Sequence, residues 1–109
     1  MIEKPGPGIE VIYEEGNDGW VGLSWHEDIP GWVLHFVVDP TLWSPQNYKR
    51  WKKIEKVCRQ ILRSRGITKC YGFSKTAKEV KYNAFWGAKP TGKLVQQGDH
   101  YEMLLEGEI

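Results

Sequence analysis

Side chains able to do chemistry gather at three places. Ser44, Gln46, Asn47, Lys49 and Arg50 crowd the start of a predicted helix. A hydroxyl, two amides and two cations there could meet a phosphate, helped by the positive end of the helix dipole. The same stretch also reads as an ordinary helix start. His35 stands alone in the apolar run Trp32 to Val38, where a histidine serves either as a general base or, more commonly, as a hydrogen-bonded core residue. Asp39 closes that run, as a second base candidate or as an Asx turn. His26, His35 and His100 share no metal-ligand spacing. No nucleophile-and-base pattern is visible, and Glu27 and Asp28 read as solvated loop residues. Cys58 and Cys70 lack metal or redox spacing and read as reduced, packed thiols.

The elements that must position these groups centre on residues 32 to 66. Trp32 to Val38 is apolar on both alternating faces apart from His35, the pattern of a strand buried on both sides. Asp39-Pro40 ends it, because proline supplies no ladder donor and restricts the residue before it. Ser44-Pro45 predicts a helix start, with a hydroxyl cap and proline at the first helical position. The helix should run to about Ser64, with Gly66 as a left-handed cap. Tyr48, Trp51, Ile54, Cys58, Ile61 and Leu62 recur at helical spacing as its buried stripe. Ile67 to Phe73 follows as another strand. Strand, helix, strand is a crossover, so the two strands should lie parallel.

Around this unit, residues 1–8 lack an apolar period and read as a flexible lead-in. Residues 9–109 form one domain. Strands are predicted at 9–14 and Trp20–Trp25, with Gly16-Asn-Asp-Gly19 as their hairpin turn. Thr76-Ala-Lys-Glu79 is a capping-box pattern that opens a second helix. Its possible inner face holds Val80, Asn83, Ala84 and Gly87, flanked by Tyr82 and Phe85-Trp86. Leu94–Gln96 and His100–Leu105 read as two late strands. The expected fold is α+β, a mixed, mostly antiparallel sheet in the order β-β-β-α-β-α-β-β.

The chain has 109 residues and a net charge of +1, which fits one domain with a modest core. Six tryptophans, five tyrosines and three phenylalanines give that core much area in few residues. The small net charge hides a segregation. Residues 1–39 balance at −7, residues 40–66 at +7 and residues 67–109 at +1. The long helix is thus strongly basic on its outer face, either as a solvated surface or as a site for phosphates, nucleic acid or an acidic protein. No apolar run approaches bilayer length and the start has no signal-peptide pattern. A cytoplasmic protein without membrane partners is expected.

The element order and the run Phe85-Trp-Gly-Ala-Lys89 resemble the later two-thirds of the GCN5-related N-acetyltransferase fold. Phe85 to Lys89 is similar to that family's aromatic-x-x-Gly-hydrophobic signature, and the resemblance covers residues 9 to 105. The first strand and two helices of the usual fold are missing. Compact versions of this kind resemble bacteriophage-encoded proteins, including virion proteins with an acetyltransferase-like domain. The resemblance implies transfer of an acetyl group from acetyl-CoA to an amine. It implies the central-strand backbone at Val37 and Val38 as cofactor contacts, with Ser44, Gln46, Asn47, Lys49 and Arg50 at the pyrophosphate. The family's glycine-rich phosphate loop is replaced by Asp39-Pro-Thr-Leu-Trp-Ser-Pro-Gln-Asn-Tyr48, which has no glycine. A tyrosine on the second helix often protonates the leaving thiolate. Counting back from Gly87, that position falls on Asn83, with Tyr82 beside it. The implied catalytic candidates are Tyr82 and His35.

Two other classes stay open. A binding module would use Lys49, Arg50, Lys52, Lys53 and Lys56 with Trp51 on nucleic acid. Trp51, however, lies on the apolar stripe, and the near-neutral total disfavours a general nucleic-acid binder. An accessory or virion protein would keep the fold without chemistry and bind a host or virion protein, residing in host cytoplasm or virion.

Overall fold

The computed structural model describes residues 2–42 and 44–109. Met1, at the head of the expected lead-in, and Trp43, in the expected phosphate loop, lie outside the described residues. Among the described residues six strands and two helices form an α+β domain: β1 Glu10–Glu14, β2 Gly19–His26, β3 Gly31–Val38, α1 Pro45–Ser64, β4 Lys69–Ser74, α2 Ala77–Asn83, β5 Lys89–Gln97 and β6 His100–Glu108. Short 3-10 turns at Pro40–Leu42 and Ala84–Trp86 precede α1 and follow α2. The strands lie in the order β1-β2-β3-β4-β6-β5. Neighbours run antiparallel except β3 and β4, which flank α1 and run parallel.

Local chemistry sets the helix ends. Ser44 Oγ accepts the Asn47 amide at 3.2 Å, and Pro45 follows as the first helical residue. At the other end, Gly66 has φ of 76°. Its N–H reaches the Arg63 carbonyl at 3.0 Å and the Ile67 N–H reaches the Leu62 carbonyl at 3.0 Å, a Schellman cap. In α2, the Glu79 amide donates to Thr76 Oγ1 at 3.2 Å, the expected capping contact.

One sheet face carries both helices and the core. Val21, Leu23, Leu34, Phe36, Val38, Cys70 and Leu105 meet Trp51, Ile54, Cys58, Leu62 and Trp86. The indoles need glycines beneath them. A Cβ on Gly19 would lie 2.7 Å from Trp51 Cη2, and one on Gly107 would lie 2.5 Å from Trp86 Cζ3. Gly19, expected only as a turn residue, therefore also opens β2 to the Trp51 ring.

Several expectations need correction. Tyr48 was placed on the buried stripe but is 46% exposed. It stands in the first turn of α1 and packs edge-on against Phe85, 5.5 Å between ring centroids. Ala84 is exposed and α2 buries no residue of its own, because the 3-10 turn swings Trp86 into the core instead. β5 begins at Lys89 rather than Leu94, with its pairing interrupted between Pro90 and Leu94. Ile67 completes the cap of α1 and the Thr68 carbonyl accepts from the Ile109 N–H, so β4 starts at Lys69. The lead-in is tied to the sheet where Trp20 Nε1 donates to the Glu3 carbonyl at 2.7 Å.

Candidate active site

Along a strand, alternate residues aim their N–H and C=O groups at opposite neighbours. The recorded parallel pairing of β3 with β4 is a single residue pair, Val33 with Tyr71. Past it, Phe36 and Val38 present their backbone to the side of β4 without a strand to receive it. A side chain receives it instead. Tyr82 Oη donates to the Phe36 carbonyl at 2.6 Å and accepts from the Val38 N–H at 3.2 Å. On the opposite wall Asn83 Nδ2 donates to Ser74 Oγ of β4 at 3.0 Å. Asn83 Oδ1 accepts from Trp86 Nε1 at 3.2 Å. The C-terminal turn of α2 thus fills the gap between the diverging strands, Tyr82 facing β3 and Asn83 facing β4.

Counting back from Gly87 points to Asn83, whereas the structure brings Tyr82 to the central strand. The shortened 3-10 turn at Ala84–Trp86 supplies the difference, since it changes the rotation between Gly87 and the helix. Burial pushes the Tyr82 phenol up to about 12, so it keeps its proton across the physiological range.

His35 belongs to another place. Its neighbours Leu34 and Phe36 face the helices, so it projects from the opposite sheet face. There its Nε2 lies 2.8 Å from Ser24 Oγ. Burial holds its pKa below the ordinary value. This Ser-His contact was not visible in the sequence, because the partners sit diagonally on β2 and β3. The structure does not join His35 to Tyr82. Asp39 takes the Asx-turn role: its Oδ1 accepts from the Thr41 amide at 2.9 Å and from Thr41 Oγ1 at 2.7 Å. Those bonds hold its carboxyl below the usual range.

The expected cofactor residues divide. Val38 lends its N–H to the gap, but Val37 faces the other way and pairs with Trp20 of β2. Ser44 caps its own helix through the Asn47 amide. Arg50 is turned toward the β1–β2 connection, 3.2 Å from Asp18 and 3.7 Å from Glu15. Gln46 and Lys49 are exposed at the first turns of α1. Carboxylates of Asp18 and Glu15 beside Arg50 blunt the positive end of the helix, so this terminus is a poorer phosphate site than the sequence suggests.

The basic outer face of α1 is also divided. Lys52 donates to the Phe85 carbonyl at 2.6 Å. Arg59 reaches Glu55 at 3.1 Å, the Trp86 carbonyl at 2.6 Å and the Glu108 carbonyl at 2.8 Å. Arg65 forms a bidentate pair with Glu10 at 2.6 and 2.7 Å. Lys49, Lys53, Lys56 and Arg63 are exposed and, among the described residues, form no ion pair. Trp51 is fully buried and has no face to offer a base.

Cys58 and Cys70 are free and buried, with thiols pushed up to about 12 and about 11 by burial. That makes them packing groups rather than nucleophiles. Among the described residues no cluster of three His, Cys, Asp or Glu could hold a metal ion, and no helix is long and apolar enough to cross a membrane. Comparison with protein-family models, with curated proteins and with solved structures finds no match to this chain.

Proposed function

We propose that this domain is an acyl-CoA N-acyltransferase-like protein whose ligand arm lies in the gap between β3 and β4. One observation carries the reading: the parallel strands part after Val33 and Tyr71, and a protonated tyrosine stands where they part. Phe36 C=O and Val38 N–H, both taken up by the Tyr82 hydroxyl in this structure, are an acceptor and a donor on one strand edge, the pair an amide-bearing extended chain requires. Those groups fit the pantetheine arm of acetyl-CoA. The start of α1 fits its pyrophosphate less well, because Arg50 is held by Glu15 and Asp18.

Bound acetyl-CoA would supply an activated acyl thioester. Within the chain, the Tyr82 phenol holds a proton at the gap and is suited to give it to a leaving thiolate. It is unsuited to act as a base at neutral pH, since burial pushes its pKa up to about 12. His35 is engaged with Ser24 on the far face and Asp39 with Thr41. Neither side chain serves the acceptor amine as a base in this reading.

The second reading, a non-catalytic partner-binding protein, is favoured by the exposed row Lys49, Lys53, Lys56 and Arg63. At 100° and 1.5 Å per residue the row keeps to one helix face for about 21 Å, with a protein or nucleic acid as its partner. Calorimetric titration with acetyl-CoA decides between the two. Saturable heat with a dissociation constant in or below the millimolar range supports the acyltransferase-like reading; no heat at millimolar ligand leaves the partner-binding one.

A further inference from the structure

We infer that the Tyr82 hydroxyl occupies the place of the N–H and C=O of two successive ligand amides, so that an extended ligand carrying secondary amides enters only by displacing it. The inference rests on the proposed location of the ligand arm and adds the residue that controls entry and selects the ligand.

The Tyr82 hydroxyl does two things at once. It donates to the Phe36 carbonyl at 2.6 Å and accepts from the Val38 N–H at 3.2 Å. A hydroxyl can satisfy both because it is donor and acceptor together. In an extended chain with successive secondary amides, the N–H of one amide and the C=O of the next face the same side and have the same two functions. An ester has only the acceptor, and would leave the Phe36 carbonyl unpaired at a cost. The gap therefore selects amides over esters of the same shape.

The surroundings permit the exchange. Asn83, not Tyr82, ties α2 to β4 through Ser74 and to the core through Trp86. Trp86 is almost fully buried against Gly72 and Gly107. Thr76 caps the other end of α2 through Glu79. The seat of α2 thus has anchors besides the two bonds that the Tyr82 hydroxyl makes to β3. The closed arrangement lowers the apparent affinity by the share of molecules in which Tyr82 still holds the strand.

The test compares wild type with Tyr82→Phe, which keeps the ring and deletes the hydroxyl. Pantetheine and acetyl-CoA are titrated into each, by calorimetry and by amide NMR. Binding about tenfold tighter in Tyr82→Phe, with the Val38 amide shifting on titration, is expected, since two neutral hydrogen bonds need no longer be exchanged. Equal or weaker binding by a folded Tyr82→Phe overturns the displacement and leaves the acyltransferase-like reading standing. Absence of binding of either probe to either protein overturns both. If Tyr82→Phe does not fold, wild type decides. The Val38 amide and the Tyr82 ring resonances must move together with pantetheine, and movement of neither, or of only one, refutes the inference.

Discussion

Replacing Arg59 by alanine removes a guanidinium that joins three parts of the chain. It pairs with Glu55 at 3.1 Å, and Glu55 is only 7% exposed. It also donates to the Trp86 carbonyl at 2.6 Å and, nearer solvent, to the Glu108 carbonyl at 2.8 Å. Hydrogen bonds to a charged group contribute about 1.5–3 kcal/mol each when partly buried, and less when exposed. Truncation further strands the Glu55 carboxylate, with Lys52 at 4.0 Å as its remaining cation. The expected loss is about 3–4 kcal/mol, a fall in melting temperature of roughly 13–17 °C for a domain of this size. Urea unfolding followed by far-ultraviolet circular dichroism measures it. Arg59→Ala combined with Glu55→Gln should recover part of the loss, because the stranded charge is gone. A loss below about 1 kcal/mol for Arg59→Ala would refute the view that this basic residue clamps the fold.

Gly107→Ala should cost about 1–3 kcal/mol through overpacking, because its Cβ would lie 2.5 Å from Trp86 Cζ3 and 3.3 Å from Ala88 Cα; an unchanged melting curve contradicts the packing. The His35 pKa is lowered from 6.5 by burial, so the unfolded chain takes up the proton first. Its contribution to stability is present above about 6.5 and is lost as pH falls through the lowered value. Denaturant unfolding at a series of pH values should show a steeper decline below pH 6.5 for wild type than for His35→Gln, and equal slopes would count against it.

What the sequence made legible was local. The Ser44-Pro45 start, the Thr76–Glu79 cap and the Gly66 stop are set by neighbours within a few residues, and each was readable from residue type and spacing. The coarse architecture, a mixed sheet with two helices, followed from apolar periodicity; that both helices share one face did not. Side-chain duties were not legible. The eight bases of residues 40–66 read as one outer face, yet four of them, Arg50, Lys52, Arg59 and Arg65, find partners far along the chain at Glu15 and Asp18, Phe85, Trp86 and Glu108, and Glu10. Periodicity cannot report such partners, because they depend on how elements meet. The same limit hid the Ser24–His35 contact across two strands. Gly72 and Gly107 carried no turn signal, and only the Trp86 indole above them explains their lack of a side chain. The preference for Tyr82 over Asn83 turned on a single 3-10 turn, a backbone detail beyond what spacing specifies.

The central claim is that a ligand arm enters where β3 and β4 part. Titrating acetyl-CoA into isotope-labelled protein and following every backbone amide tests it most directly. The account predicts saturable shifts concentrated at Phe36 to Val38 and along α2, with the largest change at the Val38 amide as its Tyr82 partner is exchanged. Saturating acetyl-CoA that leaves the Val38 amide unmoved, while shifting amides elsewhere or none at all, would contradict it.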